Sequence, residues 1–461
     1  MRSEAHRRLR LAFYGDDFTG SSDALEVLAS AGLKCAMFLT PPSVDLLHAL
    51  GEFDAIGIAG DSRAMSPAEM DETLPAVFTA IKNLSPELVH YKVCSTFDSS
   101  REAGNIGHVI SMASEIFGKQ AVPVVAGNPA LGRYCVFGNL FAFSRTDHKV
   151  HRIDRHPVMK AHPITPMQEA DLALHIGQQK PLTFARVDIS QLDNEEKLQK
   201  VPDLLTGPED AILFDGATPA HLTAIGNILT AAAERSAPRF VVGSSGVEYG
   251  LIQHWQASGR IDHQPQAEPL LSPVEQLLVI SGSASPLSKL QIDAAINHGF
   301  ADIAVEASAL VSVTEKAAAA QAIIEQAVSL LQRGENVVIH TAKGPDDPRI
   351  AAMIASMVND GATPAAAKMQ GGKALSIELG HITRKIIERH PLRRIVVSGG
   401  DTSSQVTKVL SPDALVIQSC ISPGAPLCKL LSGDPQLSGL EIALKGGQMG
   451  EEGYFVKALT G

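Results

Sequence analysis

The chain has 461 residues, of which 45% are hydrophobic and 19% charged, and it carries a formal net charge of −11. Single hydrophobic cores stop growing at roughly 250–300 residues, so this length predicts two domains. The acidic balance argues against a nucleic-acid partner, which needs a basic surface that no stretch supplies. No window holds the ~18 uninterrupted apolar residues that a membrane span requires.

The run MRSEAHRRLR begins like a signal peptide, but LAFYGDDFTG puts two carboxylates where the apolar segment would lie, so a cytoplasmic location is expected. The five cysteines (Cys35, Cys94, Cys135, Cys420 and Cys428) contain no C-x-x-C pair, which argues against a disulfide framework and a zinc site. All but Cys94 read as packing residues.

Short apolar runs that end in Gly, Asp, Ser or Thr and precede helical patterns mark βα units around a largely parallel sheet. In chain order they are LRLAFYGDD, FDAIGIAGDSR, ELVHYKVCST, AVPVVAGNPA, DAILFDGAT and RFVVGSSG, then EQLLVISGSAS, ENVVIHTAKG and LRRIVVSGGDTSS. The polar, Pro- and Gln-rich stretch SGRIDHQPQAEPLLSPVEQ separates the two sets and reads as a linker. The expected fold is α/β, with two domains that each hold a mostly parallel sheet flanked by helices. The expected division is residues 1–257, a linker over 258–275, and residues 276–461. Residues 128–180, with scattered Gly, Pro and His, are expected to form an irregular functional loop or insertion without a clear helix.

Open parallel sheets bind ligands beyond the carboxyl ends of their strands, which directs attention to the residues after each apolar run. The first run ends in Asp16-Asp17, with Thr19 to Ser22 expected to cap a helix beginning near Asp23. Paired carboxylates there suit hydroxyl binding, a metal, or acceptance of a hydroxyl proton. A cap and a turn are the plainer reading. The second run ends in Asp61-Ser62-Arg63, where a planar guanidinium suits a ligand carboxylate, with a surface ion pair as the alternative. The third ends in Lys92-Val93-Cys94-Ser95-Thr96, which adds a cation and two hydroxyls. Together these describe a pocket for a small polyhydroxy anion, with Cys94 as a contact.

The second half carries three Gly-rich loops, each of which alone reads as an ordinary turn. They are Ser281-Gly282-Ser283-Ala284-Ser285, Ser398-Gly399-Gly400-Asp401-Thr402-Ser403 and Lys445-Gly446-Gly447-Gln448-Met449-Gly450. The first two follow strands and precede helices, so backbone N–H groups at the helix starts would cradle phosphate. Three such loops in one domain favour a nucleotide. Neither the P-loop pattern nor the dinucleotide fingerprint is present. His162, His340 and His381 lack metal-ligand spacing and read as core or surface imidazoles.

In this order the loops resemble those of the four-carbon acid-sugar kinase family, along nearly the whole chain. The resemblance rests on Gly15 to Gly20, Asp61-Ser62-Arg63, Tyr91 to Thr96, Ser281-Gly282-Ser283, Gly399 to Thr402, Pro423 to Leu427 and Leu444 to Gly447. It implies an N-terminal sugar-acid-binding domain and a C-terminal nucleotide-binding domain. Asp16 and Asp17 would then be catalytic, with Asp17, Arg63, Lys92, Cys94, Ser95 and Thr96 on the sugar acid. Ser283, Gly399, Gly400, Asp401, Thr402, Gly446 and Gly447 would hold ATP, with Mg2+ as its companion and no metal ligand assigned. Where the family's run is Lys-x-Asp-Ser-Thr-Leu-Arg-Gly, this chain has Cys94 and Asp98 in place of the acid and the Arg. That variant looks like the branch that includes 3-oxo-isoapionate kinases.

The expected function is therefore ATP-dependent phosphorylation of a hydroxyl on a short or branched sugar acid such as 3-oxo-isoapionate or 3-oxo-tetronate. The alternatives are a threonate or erythronate kinase and a cytosolic sugar-acid sensor without turnover. Nucleic acid and membrane are not expected partners, and a homo-oligomer is left open.

Overall fold

The computed structural model describes residues 9–144, 146–162, 165–262 and 271–461. The chain divides into two compact units, Met1–Gln266 and Ala267–Gly461. Part of the expected linker, residues 263–270, lies outside the described residues.

In the first unit the strands are β1 (Leu11–Gly15), β2 (Cys35–Phe38), β3 (Ala55–Ala59), β4 (Leu88–Lys92), β5 (Val122–Val125), β6 (Arg133–Val136), β7 (Asn139–Ser144), β8 (Lys149–Arg152), β9 (Phe184–Val187), β10 (Ala211–Phe214) and β11 (Arg239–Gly243). Eight of them form one sheet in the order β2-β3-β1-β4-β11-β5-β10-β9, and every pairing is parallel. β1, β3, β4 and β11 are buried along their whole length, which is why LAFYG, AIGIA and LVHYK read as near-continuous apolar runs. Burying one such aliphatic side chain stabilises the fold by about 1.5–3 kcal/mol. The strand order reverses around β1: β2 and β3 lie on one side and β4 on the other, so the carboxyl ends of β3, β1 and β4 meet at a switch point.

Residues 128–180 are more regular than expected. β6, β7 and β8 form a separate antiparallel sheet, and Leu172–Gln179 is a helix capped by Asp171, whose side chain accepts from Ala173 N and Leu174 N. A second anchor is the buried Asp215 carboxylate after β10, which accepts from the backbone N–H groups of Phe137, Gly138 and Ile189. Those bonds come from residues distant in sequence, so no local pattern announces them.

In the second unit the strands are β12 (Leu278–Ser281), β13 (Ala301–Ala304), β14 (Val337–His340), β15 (Arg394–Ser398), β16 (Ala414–Ser422), β17 (Ala425–Leu431) and β18 (Glu441–Lys445). They run in the order β13-β14-β12-β15-β18-β17-β16. The first five are mutually parallel, whereas β17 is antiparallel to both neighbours. The parallel part puts the ends of β12, β15 and β18 side by side. Leu277, Val279, Val396 and Ala443 pack there against Ile292, Tyr454 and Phe455. No helix among the described residues is long and apolar enough to cross a membrane.

Candidate active site

At the switch point of the first unit the backbone ladder runs on past the strand ends. Asp16 N donates to Lys92 O at 2.9 Å, and Arg63 N donates to Asp16 O at 3.0 Å. The three predicted segments are thereby locked side by side. The helix after β1 starts earlier than expected, at Phe18, and its cap is Asp17 rather than Thr19 to Ser22: Asp17 Oδ1 accepts from Gly20 N at 2.8 Å. Asp17 has an extended backbone and a short acceptor side chain, which is what an N-cap needs.

The guanidinium of Arg63 closes the cluster. Its Nε and Nη2 lie 3.1 and 2.7 Å from Asp16 Oδ2 and Oδ1, and Nη1 lies 2.8 Å from Asp17 Oδ2. The two-pronged fork expected for a ligand carboxylate is thus occupied by Asp16. Asp16 is buried, and burial pushes its carboxyl up to about 6, with the charge of Arg63 pulling the other way and that of Asp17 adding to the rise. Asp17 keeps 30% of its side chain exposed against 7% for Asp16, so it is the accessible carboxylate of the pair.

Lys92 is the second cation at this edge. Its ammonium faces Gly20, where an added Cβ would sit 2.6 Å from Nζ and 2.4 Å from Asp17 Oδ1. Among the described residues it forms no direct ion pair. Burial alone would lower its pKa, but the charges of Asp23, Asp17 and Asp16 hold it above the ordinary lysine value. An ammonium kept charged and without a salt-bridge partner beside two carboxylates is equipped for an anionic ligand.

The strand end after Lys92 adds polar groups. Thr96 Oγ1 donates to Asp98 Oδ1 at 2.5 Å and lies 3.0 Å from Cys94 Sγ, while Ser95 is half-buried. Burial, then the charge of Asp98, raises the Cys94 thiol to about 11, which keeps it protonated and argues against a nucleophile. Sequence reasoning missed Thr165, whose Oγ1 reaches Asp98 Oδ2 at 3.5 Å and His162 Nδ1 at 3.0 Å. Only the fold brings this residue of the 128–180 segment to the strand end.

In the second unit the three Gly-rich loops converge. An added Cβ on Gly447 would lie 2.4 Å from Ser283 Oγ, and one on Gly282 would lie 2.1 Å from Thr402 Oγ1. Ser285 Oγ caps the helix Pro286–Asn297 and donates to Gly447 O at 2.5 Å. Gly399, with φ of 119°, turns the chain from β15 into the helix Gly400–Leu410, a conformation that L side chains rarely adopt. Ser283, Gly399, Gly400, Asp401, Thr402, Gly446 and Gly447 therefore share one edge of the sheet, with Asp401 exposed in the first turn of its helix.

This arrangement has relatives. Residues 11–251 match the family model of a sugar-binding N-terminal domain, and residues 278–455 match that of a nucleotide-binding C-terminal domain. The chain is similar to a 3-oxo-isoapionate kinase of Paraburkholderia graminis, with 38% identity covering 97% of this chain and 93% of that protein. It is also similar to a 3-oxo-tetronate kinase of Pseudomonas fluorescens, with 28% identity covering 97% and 96%. Its fold matches the crystal structure of the Haemophilus influenzae protein HI1011, of the DUF1537 family, with a TM-score of 0.72 and 21% identity over 97% of this chain and 98% of that one. Relatives that carry out phosphoryl transfer over almost the full length set aside the reading of a sensor without turnover. The chain belongs to the four-carbon acid-sugar kinase family and is a sugar-acid kinase.

Proposed function

We propose that the chain transfers the γ-phosphoryl group of ATP, accompanied by Mg2+, to a hydroxyl of a short branched or 3-oxo sugar acid such as 3-oxo-isoapionate, in the cytoplasm. The observation that carries the proposal is the Lys92 ammonium, charged and without a salt bridge among the described residues, beside the Arg63-ordered carboxylates Asp16 and Asp17. The acid's carboxylate would sit on Lys92. Asp17, the accessible carboxylate, would accept the proton of the attacking hydroxyl, and Asp16 would hold Arg63 in place.

The loops of the second unit fit a nucleotide because only small residues leave space at their crossing and because backbone N–H groups of two helix starts face that edge. Bound ATP and Mg2+ would supply the phosphoryl group and neutralise its developing charge. Asp401 is the exposed carboxylate available to the metal through a direct or water-bridged contact.

Substrate choice rests on Cys94 and Asp98. Cys94 removes an anionic acceptor, while Asp98, buried and held by Thr96 and Thr165, presents a carboxylate without a cation at the same end of the pocket. Such a wall favours a substrate with an additional hydroxyl donor, because unpaired polar groups on either partner are penalised on binding. Measured kcat/KM should be higher for 3-oxo-isoapionate and 3-oxo-tetronate than for threonate and erythronate. A clear preference for either of the latter would overturn the assignment.

A further inference from the structure

Lys445 is 2% exposed, one of the most deeply buried charged side chains in the second unit. It closes β18, in register with Ser398 at the end of β15, which is itself in register with Ser281 at the end of β12. Register partners in a parallel sheet point to the same face, so the three side chains form a row directly beneath the Gly-rich loops. Lys445 Nζ donates to Ser398 Oγ at 3.0 Å and lies 6.0 Å from the centre of the Phe455 ring. Ser398 Oγ in turn lies 3.4 Å from Ser288 Oγ, in the first turn of the helix that follows the first phosphate-type loop, and Ser281 Oγ is buried with no hydrogen-bond partner among the described residues.

Among the described residues no carboxylate meets this ammonium. Glu441 shares its strand face but is committed to Arg394 at 2.6 Å and Arg393 at 3.4 Å. In the helix Tyr454–Thr460 the charged residue is Lys457, which donates to Ile421 O. In the helix Pro286–Asn297 Lys289 and Asp293 pair with each other at 2.6 Å. The helix Gly400–Leu410 brings Asp401 and Lys408, and β17 brings Lys429, none of them in an ion pair with Lys445. Burying a cation without a counterion is costly. A packed apolar residue would fill the same space without that cost, so the amine calls for a charge that arrives from outside.

Resting on the nucleotide reading of this edge, we propose that Lys445 is a positioning residue for the nucleotide's phosphates: it supplies their counter-charge from beneath the loops, through Ser398. Burial pushes its pKa down to about 7. A polyanion above it raises that value, so at mildly alkaline pH nucleotide binding takes up a proton onto Nζ. The sign follows from linkage: the complex holds more protons than the free protein, and affinity therefore falls as pH rises above about 7.

Calorimetric titration of the full chain with ADP at about pH 8, in two buffers of different ionisation enthalpy, reads the uptake directly. Wild type should take up most of one proton. Lys445→Met should lose that uptake and bind ADP at least tenfold more weakly, with sugar-acid affinity unchanged and thermal stability without ligand equal or higher. Lys445→Arg, charged throughout, should recover binding without uptake. Wild-type uptake matching that of a folded Lys445→Met, or unweakened ADP binding in that variant, would overturn the proposal while leaving the nucleotide reading intact. If Lys445→Met fails to fold, wild-type uptake persisting in Lys445→Arg would overturn it. ADP failing to bind wild type would overturn both.

Discussion

At the residue scale, the division of labour between Arg63 and Lys92 decides how the proposed sugar-acid site would work. Both were legible as cations at strand ends, but their partners were not, because β3, β1 and β4 are neighbours in space and not in sequence. The structure gives Arg63 to Asp16 and Asp17 and, among the described residues, leaves Lys92 without an ion pair. Lys92→Met should therefore raise KM for the sugar acid roughly 10- to 150-fold, the equivalent of about 1.5–3 kcal/mol for a charge-assisted contact, with little change in KM for ATP. Arg63→Ala should act differently, lowering kcat and stability together by stranding two adjacent carboxylates. Removing one partner of a buried pair costs about 3–5 kcal/mol, and the partial exposure of Arg63 puts it at or below the lower end. That loss should depend on pH. Asp16 already sits above the unfolded aspartate value of about 3.9, and without Arg63 it rises further. A carboxyl with a raised folded pKa holds its proton longer in the folded state, so the destabilisation should be small near about pH 5 and grow toward about pH 8. Thermal unfolding at both pH values tests this, and a deficit that shrinks with rising pH would refute the account.

At the element scale, the apolar strands were readable because strands buried on both faces show continuous Val, Ile, Leu and Ala. Strands β6 to β8 and the helix Leu172–Gln179 were not, since the Phe137–Gly138 turn between β6 and β7 is held by Asp215, remote in sequence. Glycine separates the same way into two classes. Gly447 is needed for the crossing of two loops, since a Cβ there would meet Ser283 Oγ and Cβ at 2.4 and 3.4 Å. Gly372, inside the helix Pro364–Arg389, has nothing within 4 Å of its added Cβ. Gly447→Ala should push the loops apart and weaken ADP binding by at least tenfold. Gly372→Ala should stabilise the chain by about 0.5–1 kcal/mol through helix propensity, without touching catalysis. Calorimetric affinities and melting temperatures separate the two, and a Gly447→Ala variant with wild-type ADP affinity would remove the loop crossing from the site.

At the scale of the whole molecule, the two units carry complementary chemistry at the same kind of place, the carboxyl edge of a parallel sheet. The first gathers a lysine, an arginine and carboxylates suited to a small hydroxylated anion; the second gathers small residues, backbone N–H groups and the exposed carboxylate of Asp401, suited to phosphates and a hard cation. Chain length and alternating βα grammar pointed to this duplication, yet nothing local in the sequence says which loops within a unit come together. If each substrate is bound by its own unit, defects should sort by unit. Asp401→Ala should weaken binding of ADP with Mg2+ by several-fold or more, because a carboxylate near the phosphates helps to hold the metal, while calorimetric affinity for the sugar acid stays near wild type. Without Mg2+ the variant and wild type should bind ADP alike, since the lost interaction is with the cation. A folded Asp401→Ala variant that loses both affinities equally would argue against separate binding duties, and one that loses ADP affinity equally with and without Mg2+ would place Asp401 on the nucleotide itself.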